Sequence, residues 1–190
     1  MQVSILCGGK SSRMQSEKGL VLYQNKPFIE HIIEAVLPIS SNIQLVTNTN
    51  DYDYLFYRKI KDIVIDKGPL GGIYTALVHS ETELNLILSC DIPLISTEIL
   101  LELVEKHGTN FDVSVFKDSD RIHPLIGIYA KSLIPVLKKA IDANALKMMR
   151  FILNVKHQLI PIPNAKRHMF KNINSVAELN ELNTNLSQLK

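Results

Sequence analysis

The sequence predicts an α/β fold built on a largely parallel sheet covered by helices. Apolar runs of strand length alternate along the chain with segments of helical period, which is the pattern of strands joined by crossover helices. The chain has 190 residues, 46% hydrophobic and 21% charged, which suits one soluble domain over residues 1–190 and leaves little room for two. That balance also excludes a disordered or collagen-like chain.

Taken in order, residues 3–7 are a short apolar run that leads straight into a glycine turn, and they read as a buried first strand. Residues 27–37 read as a helix, with Pro27 in its first turn and Phe28, Ile32, Ala35 and Val36 on one stripe. A strand is expected over 43–47, a helix over 52–58, a strand over 63–66 and a helix over 72–79. Residues 84–89 form an apolar run of buried-strand type, and Ser96 is placed to cap a helix over 97–106. Strands at 113–116, 125–130 and 158–162 alternate with helices at 133–143 and 146–153, and a last helix covers 176–186. Residues 183–190 are polar enough to fray. No repeat, low-complexity tract or linker divides the chain.

Charge removes several function classes. Lys plus Arg number 21 against 19 Asp plus Glu, so the net charge of +2 gives no strong pull toward nucleic acid or an anionic membrane. Any basic site is therefore local. With no Trp and 6% aromatic residues there is no base-stacking platform. No apolar run reaches the roughly 18 to 20 residues of a membrane span, since 84–95 is broken by Asn85 and Asp91. The N-terminal run has no basic residue before it and is shorter than a signal-peptide core. Two cysteines, Cys7 and Cys90, are too few for a disulfide scaffold and favour a reducing compartment, with the cytoplasm expected.

The strongest chemical signal follows the first strand. Gly8 and Gly9 allow a tight turn with unobstructed N–H groups, while Lys10, Arg13 and Lys18 supply positive charge, which together suit a phosphate. The glycine that a Walker A loop needs five positions before Gly9 is Ser4, and there is no G-x-G-x-x-G fingerprint. A surface turn with solvated basic side chains fits the same local pattern. At the end of the run 84–89, Asp91 enters a proline-stiffened turn where ligands of open α/β sheets sit, a suitable position for a Mg²⁺ ligand; a helix cap or turn former is the plainer reading. Asp66 precedes Gly68-Pro69-Leu70-Gly71-Gly72 and repeats the plan of strand, acid and glycine turn. Those glycines suit either close approach of a ligand or close packing of a helix on the sheet. Asn48 and Asn50 end another strand, where asparagine can read a base edge or simply make a turn. Six histidines show no pair at three- or four-residue spacing, and there is no G-x-S-x-G elbow, so neither a zinc helix nor an acyl-enzyme mechanism is indicated.

Leu6-Cys7-Gly8-Gly9 through Arg13-Met14 to Lys18 is followed by Asn25-Lys26-Pro27, Gly68-Pro69-Leu70-Gly71-Gly72 and Cys90-Asp91-Ile92-Pro93. His123-Pro124-Leu125 and Asn172-Ile173-Asn174 complete a series that spans almost the whole chain and resembles the molybdenum cofactor guanylyltransferases. The resemblance implies a Rossmann-like, three-layer nucleotidyltransferase fold with helices on both faces of a mostly parallel sheet. It also implies an enzyme that transfers GMP from GTP to the phosphate of molybdenum-molybdopterin, with Mg²⁺, releasing pyrophosphate. On that basis Leu6, Cys7, Gly8 and Gly9 hold the nucleotide, the first three through backbone groups at the base. Lys18, Asn48 and Asp66 complete nucleotide binding, and Asp91 binds nucleotide and metal. Arg13, Lys18 and Asp91 carry the catalysis, while His123, Asn172 and Asn174 face the pterin and metal side. Proteins that deliver the pterin and mature molybdoenzymes are the implied partners, with no nucleic acid and no membrane.

The chain departs from the family pattern at Cys7 for alanine, Gln15 for glycine, Glu17 for aspartate and Val176 for proline. These changes bear on loop geometry more than on reaction type. Competing readings are another nucleotidyltransferase, with cytidylyl transfer to the same pterin or nucleotidylyl transfer to a sugar phosphate, and a non-catalytic nucleotide-sensing module. In the resembled fold Cys7 and Cys90 end neighbouring strands, so they are either inert buried hydrophobes or a pair that oxidation links.

Overall fold

The structure, a computed structural model, describes residues 1–8, 17–119 and 121–187. Its strands are β1 (Gln2–Leu6), β2 (Leu22–Tyr23), β3 (Lys26–Pro27), β4 (Ile43–Val46), β5 (Arg58–Ile60), β6 (Leu84–Ser89), β7 (Val113–Lys117), β8 (Ile122–Ala130) and β9 (His157–Pro161). Its helices are α1 (Phe28–Val36), α2 (Gly68–Val78), α3 (Thr97–Lys106), α4 (Ile134–Asp142), α5 (Met148–Leu153) and α6 (Val176–Ser187). Seven strands form one sheet in the order β5-β4-β1-β6-β8-β7-β9, and β2 and β3 make a small hairpin. β8 runs against both its neighbours, while β5, β4, β1 and β6 are parallel.

Alternation along β1 divides the core. Val3, Ile5 and Cys7 face α1 and α3, where Ile29, Ile32, Ile99 and Leu103 close over them. Leu6 faces the other way, toward Leu70, Ile73 and Leu77 of α2, with Leu137 of α4 and Ile152 of α5 in the same cluster. Every residue of β1 is buried, as a central strand covered on both faces requires. No helix among the described residues is long and apolar enough to cross a membrane.

Two expected elements fall elsewhere. The strand expected over 63–66 lies at β5, because Gln44, Leu45 and Val46 of β4 pair with Arg58, Lys59 and Ile60. Ile63 and Ile65, whose apolarity suggested the strand, stand exposed in a turn. The helix expected over 52–58 is a series of short turns followed by that strand, with only the ring of Tyr52 fully buried. Helix α2 also begins earlier, at Gly68, so the glycine pair Gly71-Gly72 lies inside it. A Cβ on Gly72 would stand 3.2 Å from Leu6 Cδ1, and one on Gly71 would stand 3.1 Å from the Val64 carbonyl oxygen. Close packing of helix on sheet, of the two readings open at this point, is what the structure uses. After β9 the chain returns across the sheet through a 3-10 turn at Asn164–Phe170, and α6 runs on to Ser187.

Candidate active site

Because β5, β4, β1 and β6 are parallel, their carboxyl ends share one edge, and the residues that follow them meet there. Gly8, Asn48, Asp62 and Asp91 follow β1, β4, β5 and β6 in turn.

Asp91 is the centre of the arrangement. Its side chain is buried, and its Oδ2 lies 3.2 Å from the Lys18 ammonium. Oδ1 accepts a hydrogen bond of 2.7 Å from Asn172 Nδ2. Lys18 also donates to Asn174 Oδ1 at 2.5 Å, and Asn172 Oδ1 accepts from Arg121 at 3.0 Å. The chain's return is pinned at the same place, since Ile173 N–H donates to the Asp91 carbonyl. Burying Ile173 between the two asparagines turns both amides toward Asp91 and Lys18. Residues more than 150 positions apart in sequence thereby form one charge-assisted network.

On the β4 and β5 side, Asn48 and Asp62 lock together. Asn48 Nδ2 donates to Asp62 Oδ2 at 2.9 Å, and Asp62 N–H donates to Asn48 Oδ1 at 3.0 Å. Asp62 Oδ1 is buried without a hydrogen-bond partner, and Oδ2 is the atom that a Cβ on Gly8 would approach, at 4.0 Å. An unsatisfied carboxylate oxygen beside a bare glycine backbone suits a ligand that brings donors.

Asp66 takes no part in this arrangement. It stands exposed at a φ of 60° in the turn before α2. The acid that follows the strand is Asp62, and moving the strand from 63–66 to 58–60 moves the acid with it. Arg13 and Gly9 lie outside the described residues. Leu6 and Cys7 are buried at the end of β1, where Cys7 N–H donates to Val46 O and Cys90 N–H donates to Leu6 O.

Cys7 and Cys90 extend the in-register pairing of Leu6 with Ser89, face the same core and are both free thiols. Burial, and then the neighbouring Cys90, push the Cys7 thiol well up. Tyr52 lies in the same core, its hydroxyl 2.7 Å from where a Gly19 Cβ would be, and burial raises its pKa strongly. Gly19 must therefore be bare for Lys18 to reach Asp91 over this floor.

Beyond Asp91, the pairing of β6 with β8 ends at Leu88 and Ile126, and β8 shifts register against β7 between Val115 and Phe116. The strands part there and leave a cavity of about 100 Å³ lined by Ser89, Ile92, Arg121, His123, Pro124, Leu125, Ile126 and Asn172. His123 is buried, with Nε2 3.4 Å from Asp118 Oδ2 and its ring against Phe170. Burial holds its imidazole below the usual range, with Asp118 pulling up and Arg121 pulling down.

Asp62, Arg121 and Ser89 carry no motif of their own and were not legible as site residues. For Asp62 the available signal was the pairing of β5. No group of three His, Cys, Asp or Glu side chains stands together among the described residues.

A buried carboxylate and a lysine at the carboxyl ends of parallel strands, beside the bare backbone of Gly8, are the features of a nucleotidyltransferase-like α/β protein. Residues 3–159 match the sequence profile of the MobA-like NTP transferase domain. A Flavobacterium johnsoniae protein named "Probable molybdenum cofactor guanylyltransferase" is 62% identical over 183 residues, covering 96% of each chain. A Vibrio campbellii molybdenum cofactor guanylyltransferase is 30% identical, covering 92% of this chain and 91% of its own. The crystal structure of molybdopterin-guanine dinucleotide biosynthesis protein A from Archaeoglobus fulgidus superposes with a TM-score of 0.81 at 25% identity, covering 99% of this chain and all of that one. The chain belongs to the MobA-like NTP transferase family, among its molybdenum cofactor guanylyltransferases.

Proposed function

We propose that this protein transfers GMP from GTP to the phosphate of molybdenum-molybdopterin, releasing pyrophosphate and forming the guanine dinucleotide cofactor. The observation that carries this reading is Asp91 held between Lys18 on one side and Asn172 on the other.

Gly8, Asn48 and Asp62 form the base side. Guanine presents an amino group and a ring N–H next to each other, and a carboxylate is the one side chain that accepts from both at once. Asp62 Oδ1, buried and unpaired, suits that task. Cytosine and adenine present an amino group beside a ring acceptor, which the same carboxylate repels.

The donor set of Asp91 fits Mg²⁺. Mg²⁺ beside nucleotides is held by one or two carboxylates, its other positions going to phosphate oxygens and water, so one buried carboxylate suffices. Lys18 already places a cation on Asp91 Oδ2. When bound, the ion would stabilise charge that builds on the departing pyrophosphate.

The remaining chemistry asks little of the protein. A phosphate monoester is mostly dianionic at neutral pH, with a second pKa of about 6, so no general base is needed for attack on the α-phosphorus. Lys18, tethered by Asn174, supplies positive charge to the phosphates, and Asn172 orients the Asp91 carboxylate. Arg13 adds a second cation to the phosphate loop. His123, Asn172 and Asn174 lie on the acceptor side, and two free buried cysteines fit work in the cytoplasm.

Transfer of label from α-labelled GTP to molybdenum-loaded molybdopterin tests the reading. Guanylyl transfer is expected with GTP and a far lower rate with CTP or ATP. Equal or faster transfer from CTP would assign the protein to cytidylyl chemistry instead.

A further inference from the structure

The cavity between β6 and β8 holds a hydroxyl with nothing to bond. Ser89 is 5% exposed, and its Oγ has no hydrogen-bond partner. A buried unpaired hydroxyl is destabilising unless a ligand or water completes it, and Ser89 lines a space that can admit one. Arg121 lines the same space, with its guanidinium already steered by Asn172 Oδ1. Neither Asp91 nor Asp118 is among the residues that line it.

We propose that this cavity seats a phosphate monoester, with Ser89 Oγ–H and the Arg121 guanidinium as its donors. The shape argues for a phosphate and against a ring system. The volume of about 100 Å³ is well below the roughly 300 Å³ at which pockets begin to hold whole drug-sized molecules. The rest of the acceptor therefore extends outside the cavity, whose lining also includes the apolar Pro124 and Leu125. Arg121 matches a phosphate through its planar fork of N–H donors. Position argues the same way: Arg121 touches Asn172, and Asn172 touches Asp91, so a phosphate here sits one residue from the carboxylate at the centre of the site. The inference rests on the guanylyl-transfer reading for the identity of the acceptor, and its chemistry can be read separately.

Phenyl phosphate, a monoester without a pterin, is the probe. Titration calorimetry should show it binding the wild-type protein, with about tenfold weaker binding to Ser89→Ala and recovery in Ser89→Thr. Arg121→Gln should lose at least as much. In the transfer assay Ser89→Ala should raise the KM for molybdopterin by a similar factor and leave the Kd for GTP unchanged. Unaltered phenyl phosphate affinity and unaltered acceptor KM in Ser89→Ala would overturn the subsite, even with guanylyl transfer intact. If the wild type makes no dinucleotide but binds phenyl phosphate through Ser89 and Arg121, the subsite stands and the assigned reaction falls. Equal loss of GTP affinity in Ser89→Ala would show a general disturbance of the edge and count against the proposal.

Discussion

At the level of single residues, the proposed reading of the base turns on Asp62. Its Oδ2 is committed to Asn48 while Oδ1 is buried and unpaired, so the carboxylate is half-used before any ligand arrives. Asp62→Asn keeps the size and the contact with Asn48 but places an amide where guanine brings donors. GTP binding should weaken about ten- to a hundredfold while CTP binding improves, because the charge that accepts from guanine and repels the cytosine ring nitrogen is lost and an amide complements the cytosine edge. Competition of GTP and CTP for the variant measures this, and an unchanged preference would remove Asp62 from base reading. Cys7 shows the opposite case. It meets Cys90 as the neighbouring strands require, yet burial favours its protonated form and the thiolate is what reacts, so the structure favours a quiet pair of buried thiols.

Elements set where those residues stand, and much of that was legible. The run before Asp91 is a strand buried from Asn85 on, the run that leads to Cys7 is another, and Asp91 and Gly8 stand just past their ends as expected. The strand expected over 63–66 falls instead at Arg58–Ile60, although Ile63 and Ile65 resemble a strand and Arg58–Ile60 does not. Only pairing with β4 distinguishes them, and pairing is not local in sequence. The same limit hid Arg121, whose role depends on β8 parting from β6 and on Asn172 arriving from a distant turn. β8 has its own tight point. A Cβ on Gly127 would meet Val115 Cγ1 at 2.6 Å and the Ser114 carbonyl oxygen at 3.1 Å. Gly127→Ala should lower the unfolding free energy by about 1–3 kcal/mol, read from urea melts. An unchanged midpoint would show that β7 and β8 are more loosely packed than described.

For the whole molecule, the buried His123 and the half-buried His107 link stability to pH. Burial lowers the pKa of His107 and of His123 below the ordinary imidazole value of about 6.5. The unfolded chain then binds more protons than the folded one between each lowered pKa and about 6.5, so stability is complete above that range and falls as pH drops through it. Glu102 adds a loss at lower pH, since Lys106 holds its carboxyl below the ordinary 4.5. Tm should therefore be flat from pH 8 to 7 and decline from pH 6.5 to 5, with a smaller decline in His107→Gln. A Tm that rises on acidification through that range would contradict the burial of these rings.

In the proposed reaction Asp91, clasped by Lys18 and Asn172, organises transfer of the nucleotidyl group. Asp91→Ala removes the carboxylate while the backbone carbonyl that anchors Ile173 remains. The most direct measurement is guanylyl transfer from labelled GTP to molybdenum-loaded molybdopterin by this variant, beside its circular dichroism spectrum. An unchanged spectrum and a rate reduced at least about a thousandfold are expected, as loss of several kcal/mol of transition-state stabilisation requires. A wild-type rate from a folded Asp91→Ala protein would contradict that role of Asp91.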